Sequence, residues 1–288
     1  MNYRHAFHAG NHADVLKHAV LSRILAYLNA KPKPYRVIDT HAGTGLYDLG
    51  AEEAVRSPEW REGIARIVAA APPPDVARLL APYLSAVTAA NHGIDPREKL
   101  LHYPGSPFLA RHLMRPDDRL TGVELHPADH ALLAETFARD RRVKVIRLDG
   151  WLALGAQVPP KERRGIVLVD PPFEEARDWT RLVTGLVKAH ARWPTGLYLL
   201  WYPIKRDAPV EALHAGLAAA GIARMLAAEL VVRDPGASGL AGSGLVIVNA
   251  PYTLAGELER LLPWLADTLG GPSASHRLMV LAADRASR

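Results

Sequence analysis

The sequence predicts an α/β fold, an open sheet with helices on both faces. Apolar, strand-like runs alternate with helix-like segments along most of the chain. The clearest run, Gly-Ile-Val-Leu-Val at 165–169, is typical of a buried strand. Four of the runs end in an acidic residue, and ligands of open α/β sheets bind at the carboxyl ends of the strands. The sequence therefore predicts a ligand site along one edge of the sheet.

The predicted elements begin with a long helix. Asn11 and Asp14 have the spacing of an N-cap and a first-turn acid, and the helix is expected to run to Asn29, before the prolines of the segment 31–34. Strands are then expected at 35–39, 119–124, 142–150, 165–169, 196–202, 224–232 and 244–249. Further helices are expected at 106–115, 127–139, 178–192, 208–220 and 255–269.

A long segment separates the first two strands. About 80 residues lie between the glycine loop after the first strand and Glu124, where a compact β-α-β unit needs only about 20. Two stretches within it, Pro58–Ala70 and Asp75–Asn91, have helical spacing and are divided by three consecutive prolines. We therefore predict one domain over residues 1–288, with a small helical subdomain inserted at 51–105.

Three of the four acids at predicted strand ends suggest a cofactor site. Asp39 precedes a loop, 40–45, whose glycines permit a tight turn and close backbone approach. The full dinucleotide-binding glycine pattern is absent, because its last position is Asp48. Glu124 can bind the two hydroxyls of a ribose, and Asp149 can accept a hydrogen bond from an adenine amino group.

The fourth acid belongs to an unusual motif, Asp-Pro-Pro-Phe at 170–173. Its two prolines stiffen the backbone and remove two N–H donors, which leaves carbonyl groups free to accept. With the Asp170 carboxylate and the ring of Phe173, they suit a flat heterocycle that carries an exocyclic amino group. The alternative is an ordinary turn, since Asp and Pro are common turn residues. A similar motif at 249–252 (Asn-Ala-Pro-Tyr) is interpreted as a structural strand exit.

Composition limits the remaining possibilities. A net charge of +5 and a pI of about 9.5 favour a polyanionic partner, although basic clusters such as that at 139–147 are also typical of a solvated surface. The absence of cysteine excludes disulfides and thiolate chemistry. The histidines near the N-terminus lack the spacing of a zinc-binding helix, so no metal is expected. Because no apolar stretch of about 20 residues occurs, we expect a cytoplasmic protein without a membrane segment.

Longer motifs narrow the function. The N-terminal run 3–18 and the segments 39–43 and 103–107 closely resemble the RlmJ family, which methylates N6 of one adenine in bacterial 23S ribosomal RNA. The strand-end acids and the motif at 170–173 resemble S-adenosylmethionine-dependent amino-methyltransferases in general. The resemblance implies the Rossmann-like sheet of a class I methyltransferase. One position departs from the family, since residue 173 is Phe where Tyr is more common.

The resemblance also implies roles for individual residues. The catalytic residues that it implies are Lys17, Asp170, Pro171 and Phe173. The residues that it implies for binding S-adenosylmethionine are His18, His41, Ser106, Glu124, Asp149, Gly150 and Asp170. Tyr3 and Phe173 are implied to contact the substrate, 23S ribosomal RNA. A monomer is expected.

Three other functions remain compatible with the sequence. The first is an adenine-N6 DNA methyltransferase, because the motif at 170–173 serves both nucleic acids and only the N-terminal run favours RNA. The second is a methyltransferase of protein side-chain amides, although those enzymes carry Asn rather than Asp at the first motif position. The third is a nucleotide-binding module without catalysis, and the intact Asp170 and Phe173 argue against it.

Overall fold

The structure, a computed structural model, describes residues 4–283 and is built on one sheet of eight strands. In chain order the strands are β1 (Arg36–Asp39), β2 (Leu46–Asp48), β3 (His102–Pro104), β4 (Arg119–Val123), β5 (Val143–Ile146), β6 (Gly165–Val169), β7 (Leu197–Ile204), β8 (Met225–Val231), β9 (Gly242–Val248) and β10 (Ser275–Ala282). The helices are α1 (His12–Asn29), α2 (Glu52–Arg56), α3 (Ile64–Ala69), α4 (Pro74–Ala90), α5 (Ser106–Leu113), α6 (Pro127–Thr136), α7 (Gly150–Ala156), α8 (Arg177–Arg192), α9 (Val210–Ala219) and α10 (Leu254–Leu269).

The direction of the strands brings the acids of the sequence motifs together. The sheet has the order β10-β8-β9-β7-β6-β1-β4-β5, and the strands from β7 to β5 are parallel. Strand β9 is antiparallel to β7 and β8, and β10 is antiparallel to β8. Asp39, Glu124, Asp149 and Asp170 therefore follow the same edge of the sheet. The predicted Rossmann-like class I methyltransferase sheet is confirmed.

Alternate residues of the central strands face two different helix layers. Ile166 and Leu168 of β6 belong to the hydrophobic cluster that includes α1, α4, α5 and α10. Val167 and Val169 belong to the cluster that includes α7, α8 and α9. Because helices cover both faces, all of β6 is buried, which explains why this run is apolar at successive positions.

Most predicted elements form within about three residues of their expected ends, but one strand and one helix depart from the prediction. The strand predicted at 142–150 stops at Ile146, since Asp149 caps α7 instead. The helix predicted over Pro58–Ala70 is interrupted, because Gly63 packs so closely on Gly10 that a Cβ there would overlap the backbone. Strand β10 and the β2–β3 pair are not predicted from the sequence. The first is a largely exposed edge strand, and the others have only three residues each.

The segment 51–105 contains α2, α3, α4 and then β3. Helix α4 packs on α1, α5 and α10, and its Tyr83 belongs to the same hydrophobic cluster as residues of the sheet. Strand β3 pairs with β2, which precedes the segment. That 51–105 forms an inserted subdomain remains a prediction. Within residues 4–283, no helix combines the length and apolar character needed to cross a membrane.

Candidate active site

A cavity of about 320 Å³ opens at the edge where the parallel strands end. This volume falls within the range of small-molecule sites, roughly 300–1,000 Å³. Its walls come from α1, the loop after β1, the start of α5 and the segments after β4, β5 and β6. The predicted residues that line it are Lys17, His18, His41, Ser106, Glu124, Asp149, Gly150 and Asp170. The fold thus brings most of the predicted site to one place.

Asp170 is held by a buried ion pair. Its Oδ2 accepts a short hydrogen bond from Nζ of Lys17, and the same Nζ lies 2.8 Å from Oδ1 of Asp14. Burial alone would lower the pKa of Lys17, but the two carboxylates outweigh burial and hold that pKa well above its usual value. Lys17 is therefore a fixed cation that orients the Asp170 carboxylate.

Asp14 connects Lys17 to the N-terminal segment. Its Oδ2 accepts a hydrogen bond from the backbone N–H of Gly10 at 2.8 Å and lies 2.9 Å from Nε2 of His5. Burial alone would raise the pKa of Asp14, whereas the charges of His5 and Lys17 hold it well below its usual value. The sequence pattern marks Asp14 only as a first-turn acid. Its place in the site is not visible from helix spacing, because Asp170, which shares Lys17 with it, lies far away in sequence.

Glu124 is fixed by backbone donors. Its Oε2 accepts from the N–H of Gly43 at 2.9 Å, and its Oε1 accepts from the N–H of His126 at 2.7 Å. Burial raises the pKa of Glu124, and these two donors oppose the rise. Gly43 has a φ of +59°, and a Cβ there would overlap the hydroxyl of Tyr47. Only glycine fits this turn without strain, so the loop depends on it to reach Glu124.

Asp149 and Gly150 place the start of α7 against the loop after β1. The Asp149 carboxylate accepts from the N–H of Trp151 at 2.7 Å and caps the helix. A Cβ on Gly150 would overlap the carbonyl of Thr40 and the ring of His41, so the close approach requires glycine. Burial lowers the pKa of His41 to about 4, which makes its ring neutral near pH 7.

Ser106 is coupled to the acid that ends β1. Its hydroxyl donates to Oδ2 of Asp39 at 2.6 Å. Burial raises the pKa of Asp39 to about 6 although the Ser106 hydrogen bond opposes it, and the nearby charge of Asp170 adds to the rise. Asp39 lies behind the cavity wall and fixes the start of α5 relative to β1.

His18 lies at the cavity wall beside a tyrosine. Its Nδ1 is 2.7 Å from the hydroxyl of Tyr103, and the two rings stack with centroids 5.5 Å apart. Burial lowers the pKa of His18 to about 3, so the ring is neutral. Within residues 4–283, its Nε2 has no hydrogen-bond partner.

Phe173 and Pro171 do not line the cavity. The ring of Phe173 is 7% exposed and packs against Trp179 and Trp201, with centroids 4.6 and 5.8 Å away. Pro171 is buried, whereas Pro172 lines the cavity. The expected stacking face of Phe173 is thus covered by tryptophan, because the chain turns sharply at Phe173 with a φ of +50°. Tyr3 lies outside the described residues.

Comparison with known proteins identifies the family. The family model described as "Ribosomal RNA large subunit methyltransferase D, RlmJ" matches residues 32–281. The chain belongs to this family. The "Ribosomal RNA large subunit methyltransferase J" of Escherichia coli K12 is 42% identical over 277 residues, which are 96% of each chain. That of Haemophilus influenzae Rd is 40% identical over 271 residues, 93% of this chain and 94% of the relative.

A solved structure shares the fold of this chain over nearly its whole length. The crystal structure of a Legionella pneumophila protein superposes with a TM-score of 0.84 and 32% sequence identity. The match covers 95% of this chain and 98% of that chain. The common fold therefore includes nearly the whole molecule and is not restricted to the methyltransferase sheet.

The cavity of this RlmJ-family member suits S-adenosylmethionine, the methyl donor that a methyltransferase implies. That molecule presents ribose hydroxyls and an adenine amino group, which need acceptors such as carboxylates. Glu124 and Asp149 supply two carboxylates on the cavity wall. His18 supplies a ring nitrogen without a partner inside the described part of the chain. The residues present fit the donor.

Some cavity residues are missed by sequence reasoning. Arg177 and Arg181 of α8 reach the cavity rim, where they pair with Glu175, and Arg181 also with Asp178 at 3.4 Å. Helical spacing predicts α8 but does not show which of its charged residues face the cavity. One sequence signal could have indicated them. Helix α8 begins only a few residues after the motif at 170–173, so its first turn must lie at the same edge of the sheet as that motif.

The second proline motif, 249–252, lies at the opposite edge because β9 is antiparallel to β7. Nδ2 of Asn249 donates to the carbonyls of Pro194 and Gly196, each at 2.8 Å. Its amide is thus used to fix the turn, which agrees with a structural strand exit.

The N-terminal histidines contact separate partners. His5 lies beside Asp14, and Nδ1 of His8 is 2.9 Å from Oε1 of Glu59. Among residues 4–283, no three His, Asp or Glu side chains are grouped as a metal site would require.

Proposed function

We propose that this chain transfers a methyl group from S-adenosylmethionine to the exocyclic N6 of one adenine in bacterial 23S ribosomal RNA. The observation that carries the proposal is the position of the Asp170 carboxylate, which lies at the exit of β6, lines the cavity and is fixed by Lys17. The names of the E. coli and H. influenzae relatives support large-subunit ribosomal RNA as the substrate.

The chemistry follows from the weak nucleophilicity of the amine. The N6 lone pair is delocalised into the adenine ring, so the main contribution of the protein is alignment of the two reactants. The Asp170 carboxylate and the Pro171 carbonyl would accept the two N6 hydrogens and direct the lone pair towards the methyl carbon. As the N–C bond forms and the S–C bond breaks, the carboxylate stabilises positive charge on N6. It can then accept the proton that N6 loses.

Lys17 acts through the carboxylate rather than on the amine. Its Nζ is occupied by Asp170 and Asp14, and the side chain is 5% exposed. Two carboxylates and one ammonium leave these three side chains with a net negative charge, which favours a developing positive charge on N6. In this proposal Lys17 keeps the Asp170 carboxylate correctly oriented.

S-Adenosylmethionine supplies the electrophilic methyl group when it is bound. Glu124 would hold its ribose hydroxyls, and Asp149 would accept from its adenine amino group. Ser106, fixed by Asp39, would lie beside the methionine portion. The residues that close the site around the donor are His18, His41 and Gly150.

The target adenine has to leave its helix or loop to reach Asp170. Arg177 and Arg181 at the cavity rim are positioned to contact phosphates next to the extruded nucleotide. Tyr3 and Phe173 are predicted to contact the base. For Phe173 this requires the ring to leave its packing on Trp179.

Ribosomal RNA is preferred to the alternatives because the chain belongs to the RlmJ family. No observation favours the DNA, protein-amide or non-catalytic alternatives. We further propose that the protein acts as a cytoplasmic monomer and uses no metal ion.

Ribosomal RNA from cells with and without the gene tests the proposal. Mass spectrometry of 23S digests should show one N6-methyladenosine that is lost in the deletion strain. Wild-type protein and the exposed-site control Asp234→Ala should restore it, whereas Asp170→Ala should not. Identical digests from both strains would contradict the proposed function.

Purified protein tests the substrate and Asp170 separately. Labelled methyl groups should be transferred to a 23S-derived hairpin faster than to duplex DNA, and transfer should fall as salt rises. Asp170→Ala should lower the rate roughly 10²–10³-fold, the usual cost of losing one preorganised transition-state contact. Its affinity for S-adenosylmethionine should change little. Equal rates on RNA and DNA would favour the DNA alternative.

A further inference from the structure

The lining of the catalytic cavity is acidic. Among residues 4–283, seven carboxylates line it, against the three cations Lys17, Arg177 and Arg181. The acids are Glu124, Asp129, Asp149, Asp170, Glu174, Glu175 and Asp178. Lys17 pairs with Asp170, and both arginines pair with Glu175. Because like charges repel, this lining disfavours the phosphates of a long RNA strand, which need further cations at the same edge of the sheet.

A second cleft opens at this edge, beside the catalytic cavity. Its volume of about 580 Å³ lies within the range of ligand sites, roughly 300–1,000 Å³. One wall belongs to the helical segment, at 56–66, and the other consists of the loop between β8 and β9 and the end of α10. Since β8 and β7 are both antiparallel to β9, this loop follows the same edge as the motif at 170–173. Asn11 and His12 at the start of α1 line the cleft, and Lys17 of the same helix lines the cavity.

The cleft differs from the cavity in charge. In the described part of the chain, its charged lining consists of Arg56, Arg66, Arg233, Glu59 and Glu62, so cations are in excess. A guanidinium presents paired N–H groups that match the oxygens of a phosphate. We call this site the arginine cleft, after its three arginines.

Two of these arginines are available to a ligand. Arg233 lies 3.2 Å from Glu62, on the opposite wall of the cleft, and Arg56 lies 3.5 Å from Glu52. All four side chains are at least 49% exposed. Exposed ion pairs are weak, so phosphate oxygens can replace either carboxylate at little cost. Arg66 is more firmly held, because its Nη1 donates to the carbonyl of Leu269 at 2.8 Å.

We propose that the arginine cleft binds phosphate groups of the RNA strand that flanks the target adenine, while the catalytic cavity takes the adenine itself. This rests on the proposed function and places a further part of the same substrate. The helical segment gains a part in RNA binding, since α2 supplies Arg56 and α3 supplies Arg66. Contacts of this kind position the strand and do not read its sequence.

Fluorescence anisotropy with a labelled 23S hairpin that contains the target adenine tests the proposal. The double variant with Arg56→Gln and Arg233→Gln should raise the Kd for the hairpin roughly tenfold near 0.1 M salt. The slope of log Kd against log salt should fall by about 0.7–0.9 for each phosphate contact that is lost. The corresponding double variant with Arg56→Lys and Arg233→Lys keeps both charges and should keep most of the affinity and of the slope.

Arg163→Gln is the matched control. Arg163 is exposed and precedes β6, so it lies at the opposite edge of the sheet. This control should keep the wild-type Kd and salt slope. All of these variants should keep the wild-type melting temperature, because they change exposed side chains. They should also keep the affinity for S-adenosylmethionine measured by calorimetry, because the arginine cleft does not hold the methyl donor.

The outcomes separate this inference from the proposed function. If the wild type methylates the hairpin but the Gln double variant matches Arg163→Gln in Kd and salt slope, the inference is wrong and the proposed function stands. If the Lys double variant binds as weakly as the Gln double variant, or if lost affinity is accompanied by a lower melting temperature, the arginines are structural and the inference is also wrong. If the wild type neither binds nor methylates the hairpin, both fail.

Discussion

The two walls of the cavity are held in different ways. On the strand wall, and just behind it at Asp39, the carboxylates at the ends of β1, β4 and β5 accept hydrogen bonds from backbone N–H groups. These pairs are Asp39 with His41, Glu124 with Gly43 and His126, and Asp149 with Trp151. On the helix wall, formed by α1, the contacts are between charged side chains, with Lys17 between Asp14 and Asp170. Asp170 follows β6 and so belongs to both walls.

This difference predicts how each wall responds to substitution. Backbone donors are neutral and remain in place when a carboxylate is removed, so a strand-wall variant should lose mainly ligand binding. Removing one charge from the helix wall leaves another charge buried and unpaired, which is strongly destabilising. Helix-wall variants should therefore lose stability first.

Lys17→Met should have the largest effect. It leaves Asp14, whose side chain is 1% exposed, without its ammonium partner. The free energy of unfolding should fall by about 3–5 kcal/mol, the usual cost of breaking a buried pair. Urea denaturation measures this loss of unfolding free energy. Lys31→Met, at an exposed position, is the control. A loss similar to that of Lys31→Met would show that the helix wall does not depend on its ion pairs.

Phe173→Ala tests whether the ring of Phe173 belongs to the hydrophobic core or to the ligand-facing surface of the strand wall. Because the ring packs on Trp179 and Trp201, the variant should lose about 3–5 kcal/mol of stability, as buried phenylalanines do. Phe173→Leu should keep much of that stability. An unchanged melting temperature combined with a large loss of turnover on RNA would instead support stacking on the flipped base.

The residues of the strand wall could be predicted from the sequence, whereas those of the helix wall could be predicted only in part. Each strand-wall acid lies at or within three residues of the end of a strand-like run, so parallel strands alone place Glu124 and Asp149 together. Helix α1 is buried on nearly every side, so its spacing does not distinguish the residues that face the cavity. Lys17 was found through the family resemblance, but its pairing with Asp170, 153 positions away, depends on tertiary packing.

In the helical segment 51–105, too, sequence spacing predicts the helix but not its tertiary contacts. Its helix α4 follows from spacing, whereas the contact of Tyr83 with Tyr103 does not, since no periodicity connects two tyrosines on different elements. Phe173 shows a different limit of sequence reasoning. The motif predicts an aromatic ring facing a ligand, but local pattern cannot reveal that two tryptophans from α8 and β7 cover that ring.

Glu124→Ala should have a smaller effect, confined to binding. Loss of charge-assisted hydrogen bonds to the ribose should weaken S-adenosylmethionine binding by roughly 1–3 kcal/mol. Stability should change less than in Lys17→Met, because only the backbone donors of Gly43 and His126 lose their acceptor. Calorimetry beside the exposed control Glu135→Ala measures the difference. Unchanged affinity would remove Glu124 from the ribose role.

The smallest expected effect is a difference in pH dependence between the buried histidines and the buried carboxyl of Asp39. Burial lowers the pKa of His12, at the start of α1 and outside the cavity, to about 4, and that of His18, on the helix wall, to about 3. Burial also lowers the pKa of His41, on the strand wall, to about 4. An unfolded histidine titrates near 6.5, so between about pH 6.5 and 4 the unfolded chain binds more protons at these positions. Stability from each buried histidine is therefore present above about pH 6.5 and is lost as the pH falls, by about 1.4 kcal/mol per pH unit.

Asp39, just behind the strand wall, has the opposite sign. Burial raises its pKa to about 6, above the unfolded value of about 3.9, so the folded state binds the extra proton and stability increases as the pH falls from about 6 to 4. With three histidines against one carboxyl, acid should destabilise the wild type on balance. Urea unfolding at several pH values between 4.5 and 7.5 should show a shallower acid loss for His12→Gln and a steeper one for Asp39→Asn. The exposed control His276→Gln should match the wild-type slope, and equal slopes in all four proteins would show that the buried histidine and the buried carboxyl do not differ in this respect.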